Sequence, residues 1–167
     1  MTPAELLIES FQRVVESGTS VVDDLTDEQL AHRPGPDANS IAWLVWHLTR
    51  VQDDHVADVS GLEQVWTAQD FVRRFGLPFA AEDTGYGHSS DEVGRLRASA
   101  ELLAAYLTAV HEQTVDYLRD LQDGDLDRIV DKRWDPPVTL GVRLVSVVND
   151  DTQHVGQAAY ARGLLPD

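Results

Sequence analysis

The stretch Ile41–Val59, IAWLVWHLTRVQDDHVADV, decides the fold. Ile41, Leu44, Leu48, Val51, His55 and Val59 recur on one face at about 100° per residue, the period of an α-helix and not of a strand. Asn39 and Ser40 offer N-cap side chains just before the run, and Ser60-Gly61 offers a stop just after it. The face is not purely apolar. His55 lies on it, and His47, Asp54 and Asp58 fall within about 80° of Leu44 along one flank. This helix therefore buries an apolar stripe and turns potential ligands toward its neighbour.

Three more long helices follow from the same rules. Thr2-Pro3-x-Glu5 combines an N-cap, a first-turn proline and a capping-box glutamate, and predicts a first helix from Pro3 to about Asp24. A short helix is predicted at Thr26–Ala31 before Pro34-Gly35-Pro36 breaks the chain. The capping box Ser89-x-x-Glu92, with Leu96, Ala100, Leu103, Leu107, Val110, Val115, Leu118 and Leu121 at helical spacing, predicts one helix from about Ser90 to Leu121. Asp123-Gly124-Asp125 ends it, Pro136-Pro137 keeps the next link extended, and a last helix is predicted from about Thr139 to Gly163. Between the second and third long helices lie a helical piece at Thr67–Phe75 and the turn-rich run LPFAAEDTGYGHS, Leu77–Ser89. That length suits a crossover connection. The expectation is an all-α four-helix bundle with one long crossover, formed as a single domain over residues 1–167.

Composition narrows the function. The chain carries 29 acidic and 13 basic residues, a net charge of −16, so phosphate backbones and anionic lipid surfaces are repelled: nucleic acid and membrane are not expected partners. There is no run of apolar residues long enough to span a bilayer, and Met1-Thr2-Pro3-Ala4-Glu5 does not read as a signal peptide, so a cytoplasmic location is expected. With 0 cysteines, a metal must be held by His, Asp or Glu, and any thiol nucleophile must come from outside the protein. Walker, G-x-G-x-x-G, G-x-S-x-G and H-E-x-x-H motifs do not occur.

The last long helix carries VVNDDTQHVGQ, Val147–Gln157. Setting Val147 at zero places Asp151 and His154 within about 40° of it and Asp150 at about −60°, all on the core side. Carboxylates there are costly unless paired, hydrogen-bonded or bound to a cation. Asp150 and His154 stack one turn apart and can reach one ion, and His47 of the second long helix is the best third donor. Two imidazoles and a carboxylate suit Zn²⁺, Ni²⁺ or Fe²⁺ better than Ca²⁺ or Mg²⁺. The plainer readings are an i,i+4 ion pair for Asp150 and His154 and a hydrogen-bonded core histidine for His55. Asp54 reads as an acceptor for a ligating histidine or as a solvated charge. His32 and His88 carry little signal, and His111 sits on the inner half of its helix. Trp46 points about 160° from the apolar stripe, which suits cover by the crossover segment, cover by a second subunit in a homodimer, or a singly exposed aromatic. Arg133-Trp134 offers a wall for the site.

Trp46-His47-Leu48 on one helix and Asp150-x-x-x-His154-Val155-Gly156-Gln157 on another resemble the DinB-like superfamily, in particular its mycothiol-dependent transferase and maleylpyruvate isomerase branch. The resemblance implies a four-helix bundle holding a divalent metal, usually zinc, on His47, Asp150 and His154. Many relatives carry His or Glu where this chain has Asp150, and Asp151 is the alternative ligand. It further implies that the metal activates a low-molecular-weight thiol, mycothiol or a similar one, for attack on an electrophilic small molecule in detoxification, giving S-conjugation or, with an unsaturated acid, cis–trans isomerisation by reversible addition. Asp54 or His55 is read as the acid/base or supporting group. The rival is a non-catalytic metal- or ligand-binding stress-response protein. A metal-assisted hydrolase is a third reading.

Overall fold

The computed structural model describes residues 1–166, apart from the side chain of Asp123. Four long helices dominate: α1 (Pro3–Val22), α3 (Ile41–Ser60), α7 (Ala100–Arg119) and α8 (Leu140–Arg162). Between them lie the short helices α2 (Asp27–Ala31), α4 (Val65–Ala68), α5 (Phe71–Phe75) and α6 (Ser90–Val93). A 3-10 turn, Asp123–Asp127, leads into a small antiparallel pair, β1 (Ile129–Asp131) and β2 (Val138–Thr139). The architecture is the all-α bundle expected, with this two-stranded ribbon added where an extended link was expected.

The helix ends follow their caps. Thr2, Ser40, Ser99 and Thr139 each accept a backbone N–H from the first turn of α1, α3, α7 and α8 in turn. Gly61 closes α3 in the left-handed conformation (φ 73°) and donates its N–H to the Ala57 carbonyl. The third long helix is shorter than its apolar spacing implied. Gly94 ends α6 after one turn, and Ser99 starts α7 afresh. Periodicity runs through this break because Leu96 and Ala98 remain buried without being helical.

α1 packs on α7 and α8, and α3 packs on the same two helices. Leu7, Phe11, Val59, Leu118, Leu140 and Leu144 share one apolar cluster at one end of the bundle, while Leu44, Leu107 and Val155 belong to the cluster at the other. α1 and α8 thus run one way and α3 and α7 the other. Two successive long helices running parallel cannot be joined by a tight turn, which is why the connection from α3 to α7 must travel the length of the bundle. That connection carries α4, α5 and α6 and lies over one side of α3, giving α3 cover on nearly all sides: Ile41 to Arg50 are all buried. No described helix is long and apolar enough to cross a membrane.

Candidate metal centre

α3 and α8 meet antiparallel, and their contact brings His47 to Asp150 and His154. One ligand atom from each of these three lies within 4.8 Å of the other two, and among the described residues this is the group that could hold a metal ion. His47 is 6% exposed, whereas Asp150 and His154 are half-buried, so the centre is reached from the α8 side.

The ring nitrogens are sorted by their partners. His47 Nδ1 faces the Thr84 carbonyl, and His154 Nδ1 lies 2.8 Å from the Asp150 carbonyl. A carbonyl only accepts, so both Nδ1 atoms carry a proton, and in the neutral ring Nε2 is the nitrogen that keeps its lone pair. This is the arrangement in which a ligating histidine is oriented through its other nitrogen. Asp150 Oδ2 is buried and makes no hydrogen bond, although His154 Nδ1 stands 3.3 Å away. Two free imidazole lone pairs and an unpartnered carboxylate oxygen form a donor set that a divalent cation fits, with three protein ligands leaving a fourth position open.

The electrostatics agree with such a set. Burial lowers the His47 pKa; the Thr84 carbonyl opposes this, and His154 and His88 reinforce it. At His154 burial acts downward, but the Asp150 carboxylate and carbonyl outweigh it and the pKa is raised. Burial acts upward on Asp150, yet His154, His47 and His55 outweigh it, so its pKa is lowered and the group is ionised near neutrality.

Asp151 is a different case. It is 0% exposed, neither carboxylate oxygen has a hydrogen-bond partner, and it stands outside the donor cluster. Burial, with the Asp150 charge beside it, raises its pKa well above the ordinary carboxylate value. One residue along a helix is about 100° of rotation, which carries Asp151 away from His154 into the apolar interior.

The crossover segment builds the back of the centre. Trp43 Nε1–H donates to His88 Nδ1 (3.1 Å), which leaves His88 Nε2–H to donate to Asp83 Oδ2 (3.0 Å). Asp83 Oδ1 accepts the Gly85 N–H (2.8 Å), and this turn presents the Thr84 carbonyl to His47. Gly85 adopts φ +88°, and a Cβ there would stand 2.9 Å from Trp46, 3.0 Å from His47 Nδ1 and 3.1 Å from Trp43. No other residue type fits that approach without displacing the loop. His47 also stacks on Trp43, with ring centroids 4.5 Å apart.

Several sequence expectations are relocated. Trp46 is 1% exposed beneath Trp66, Phe79 and His88, so the crossover segment covers it. His88, given little weight from sequence, holds the loop behind His47. Only Asp83 and His88 in a glycine-rich run opposite a Trp-rich helix could have hinted at this. His111 turns to Gln12 of α1 (3.0 Å) and not to the centre. Asp54 Oδ1 accepts from Gln64 Nε2 (2.9 Å), and His55 Nδ1 meets Arg143 Nη1 (2.9 Å), nearer the opposite end of α3 from His47. Arg133 forks onto Asp131 (3.0 and 2.8 Å), while Trp134 stands 66% exposed beside them.

Comparison with known proteins agrees with this architecture. The chain is similar over 99% of its length to a conserved protein from Enterococcus faecalis, with 31% identity, 98% of that chain covered and a TM-score of 0.92. A DinB-like protein from Bacillus cereus ATCC 10987 matches in fold, with 21% identity, 94% of this chain and 89% of that one covered, and a TM-score of 0.63. No functionally curated protein matches. The DinB superfamily model matches residues 11–158, nearly the whole bundle including the helices that bear His47, Asp150 and His154, and the chain belongs to the DinB superfamily.

Proposed function

We propose that this protein is a metal-dependent thiol S-transferase of the mycothiol type, with His47, Asp150 and His154 as the ligands of a divalent cation, most fittingly Zn²⁺. The observation that carries the reading is the donor set: two histidines oriented through Nδ1–H to carbonyls, beside a buried carboxylate oxygen without a hydrogen bond. Ni²⁺ and Fe²⁺ suit the same ligands. A cation held there lowers the pKa of a coordinating thiol, so that thiolate is available near neutral pH.

The chain's own residues supply the rest. The 0 cysteines leave the nucleophilic sulfur to a small-molecule thiol, in keeping with a cytoplasmic setting. Thr84 and the Asp150 carbonyl hold the Nδ1 protons, so that Nε2 is the ligating nitrogen of each neutral ring, and Asp150 and His154 are only half-buried. Asp54 and His55, further along α3 from His47, are the groups proposed to act on the electrophile.

Elemental analysis of the purified protein, followed by incubation with mycothiol and a generic electrophile such as a chloronitroarene, tests this directly. About one zinc per chain and accumulation of the thiol conjugate are expected. His47→Ala is expected to lose both, and a variant keeping stoichiometric zinc and full activity would overturn the assignment. The depth of His47 favours a second reading, a non-catalytic metal- or ligand-binding stress-response protein. Stoichiometric metal without conjugation across varied thiols and electrophiles would select it.

A further inference from the structure

Beyond the three ligands, the structure contains a chain of polar contacts that the proposed chemistry does not yet use. It runs from the β1–β2 ribbon through α8 to α3. Asp131 accepts from Arg133 through its backbone N–H (2.9 Å), Nε (3.0 Å) and Nη2 (2.8 Å), and from Arg143 Nη2 (3.2 Å). Arg143 then extends its other terminal nitrogen, Nη1, to His55 Nδ1 at 2.9 Å.

That last contact has one chemical solution. A guanidinium has donors and no acceptor and does not deprotonate in proteins, so His55 Nδ1 must be the acceptor and bear no proton. An imidazole with a bare Nδ1 is neutral and carries its hydrogen on Nε2. His47 and His154 are held in the opposite tautomer by carbonyls. The two kinds of partner therefore divide the histidines of the α3–α8 seam into ligands and a donor.

We propose that Arg143, braced by Asp131, is a positioning residue that holds His55 as the neutral Nε2–H tautomer, so that His55 offers the seam between α3 and α8 a fixed hydrogen-bond donor and not a base. What this donor meets rests on the transferase reading; an N–H donor pairs with an oxygen acceptor. His55 Nε2 makes no hydrogen bond among the described residues, and the side chain is about one-third exposed. A cleft of about 300 Å³ lined by Asp131, Arg133, Trp134, Arg143 and Ser146 opens on the ribbon side of the brace, and His55 does not line it.

The charges around His55 are mixed, which makes the hydrogen bond decisive. From α3 it feels Asp54 and Asp58, from α8 Arg143 and Asp150, and behind Arg143 stand Asp131 and Arg133. Burial and the Arg143 charge outweigh the three carboxylates, and its pKa is lowered. Without Arg143 those carboxylates would favour imidazolium.

The test is ¹⁵N-resolved histidine NMR on the full chain across pH, before and after zinc addition, with Arg143→Met, Arg143→Lys and Asp131→Asn beside it. Expected at pH 7 is a His55 signal with unprotonated Nδ1 and protonated Nε2. Arg143→Met is expected to mix the tautomers and shift the His55 midpoint upward. Arg143→Lys, which restores a cationic donor, should recover the native pattern, and Asp131→Asn should fall between. Protonated Nδ1 in the native chain, or an unchanged tautomer and midpoint in a folded Arg143→Met variant, would overturn the proposal. The readout needs no turnover, so absence of thiol conjugation would remove the transferase reading while leaving this assignment standing.

Discussion

Two buried polar clusters share α3, and they are finished to different degrees. Around Asp53 every carboxylate oxygen is engaged: Oδ1 accepts the Val65 N–H (2.9 Å), and Oδ2 accepts the Trp66 N–H (2.8 Å) and the Tyr106 hydroxyl (2.7 Å), with Arg50 at 3.7 Å. Arg50 in turn donates to Gln64 (2.9 Å) and the Asp83 carbonyl (3.2 Å) and lies over the Trp66 ring. Around Asp150 of α8, which meets α3 at His47, nearer the start of that helix than Asp53, a carboxylate oxygen and two imidazole Nε2 atoms are left over. A buried polar group is expensive unless satisfied. The Asp53 carboxylate is fully engaged and pins the crossover segment onto α3, with Arg50 Nη2 and Trp66 Nε1 left without partners beside it, while the open cluster leaves over the donor atoms that a cation takes.

The comparison breaks most visibly at Asp53. Asp53→Ala removes the acceptor for two amides and a hydroxyl and strands a buried guanidinium, a loss of about 3–5 kcal/mol. Thermal denaturation should show a fall of roughly 10 °C, with or without zinc. A fall only in the zinc-loaded protein would mean that the cluster serves the metal and not the fold.

A smaller effect is expected where the two clusters touch, at the Asp83–His88 turn. Gly85→Ala introduces a Cβ into a left-handed position that Trp46, Trp43 and His47 crowd, costing about 1–3 kcal/mol. Because the displaced carbonyl is the one that orients His47, zinc affinity measured by chelator competition should drop about 10–100-fold. An unchanged affinity would separate the loop from the centre.

Acidification sharpens the distinction further. The raised pKa of His154 means that it takes up a proton first as pH falls from neutrality, and a protonated imidazole cannot ligate. Zinc affinity should weaken by up to about tenfold per pH unit below pH 7 for that one proton, in isothermal titrations at stepped pH. Asp53→Asn should leave this slope in place.

The smallest effect concerns Asp151, which belongs to neither cluster. Its folded pKa lies above that of the unfolded chain, so folding binds a proton: stability is fully present below the unfolded value and is lost as pH rises toward the folded one. Metal-free native protein should lose stability relative to Asp151→Asn as pH rises from 5 to 7 in urea titrations. Parallel stability curves would show that the carboxyl finds a partner in solution.

How much of this was legible in the residues depends on the range of the forces involved. Caps and apolar spacing at Thr2, Ser40 and Thr139 marked the helix starts because a cap is satisfied within one turn. The break between Val93 and Ala100 was not legible from spacing, since burial of Leu96 and Ala98 comes from neighbours and mimics a helical stripe. Asp150 and His154 could be paired by arithmetic because the helix itself stacks them. The part of His88 could not, as it depends on how a long crossover folds back onto Trp43.

The sequence alone determined an all-α bundle with a long crossover, a strongly acidic chain of net charge −16 without cysteine, and a helix seam carrying His47, Asp150 and His154. Those follow from periodicity and composition, which are local or additive. Only the tertiary structure decided that Asp150 and not Asp151 joins the histidines, that Trp46 is roofed by the crossover, and which nitrogen of each imidazole bears its proton. A rotation of about 100° about a helix axis, or the identity of one distant hydrogen-bond partner, is enough to reverse each of these, and neither is written in the neighbouring residues.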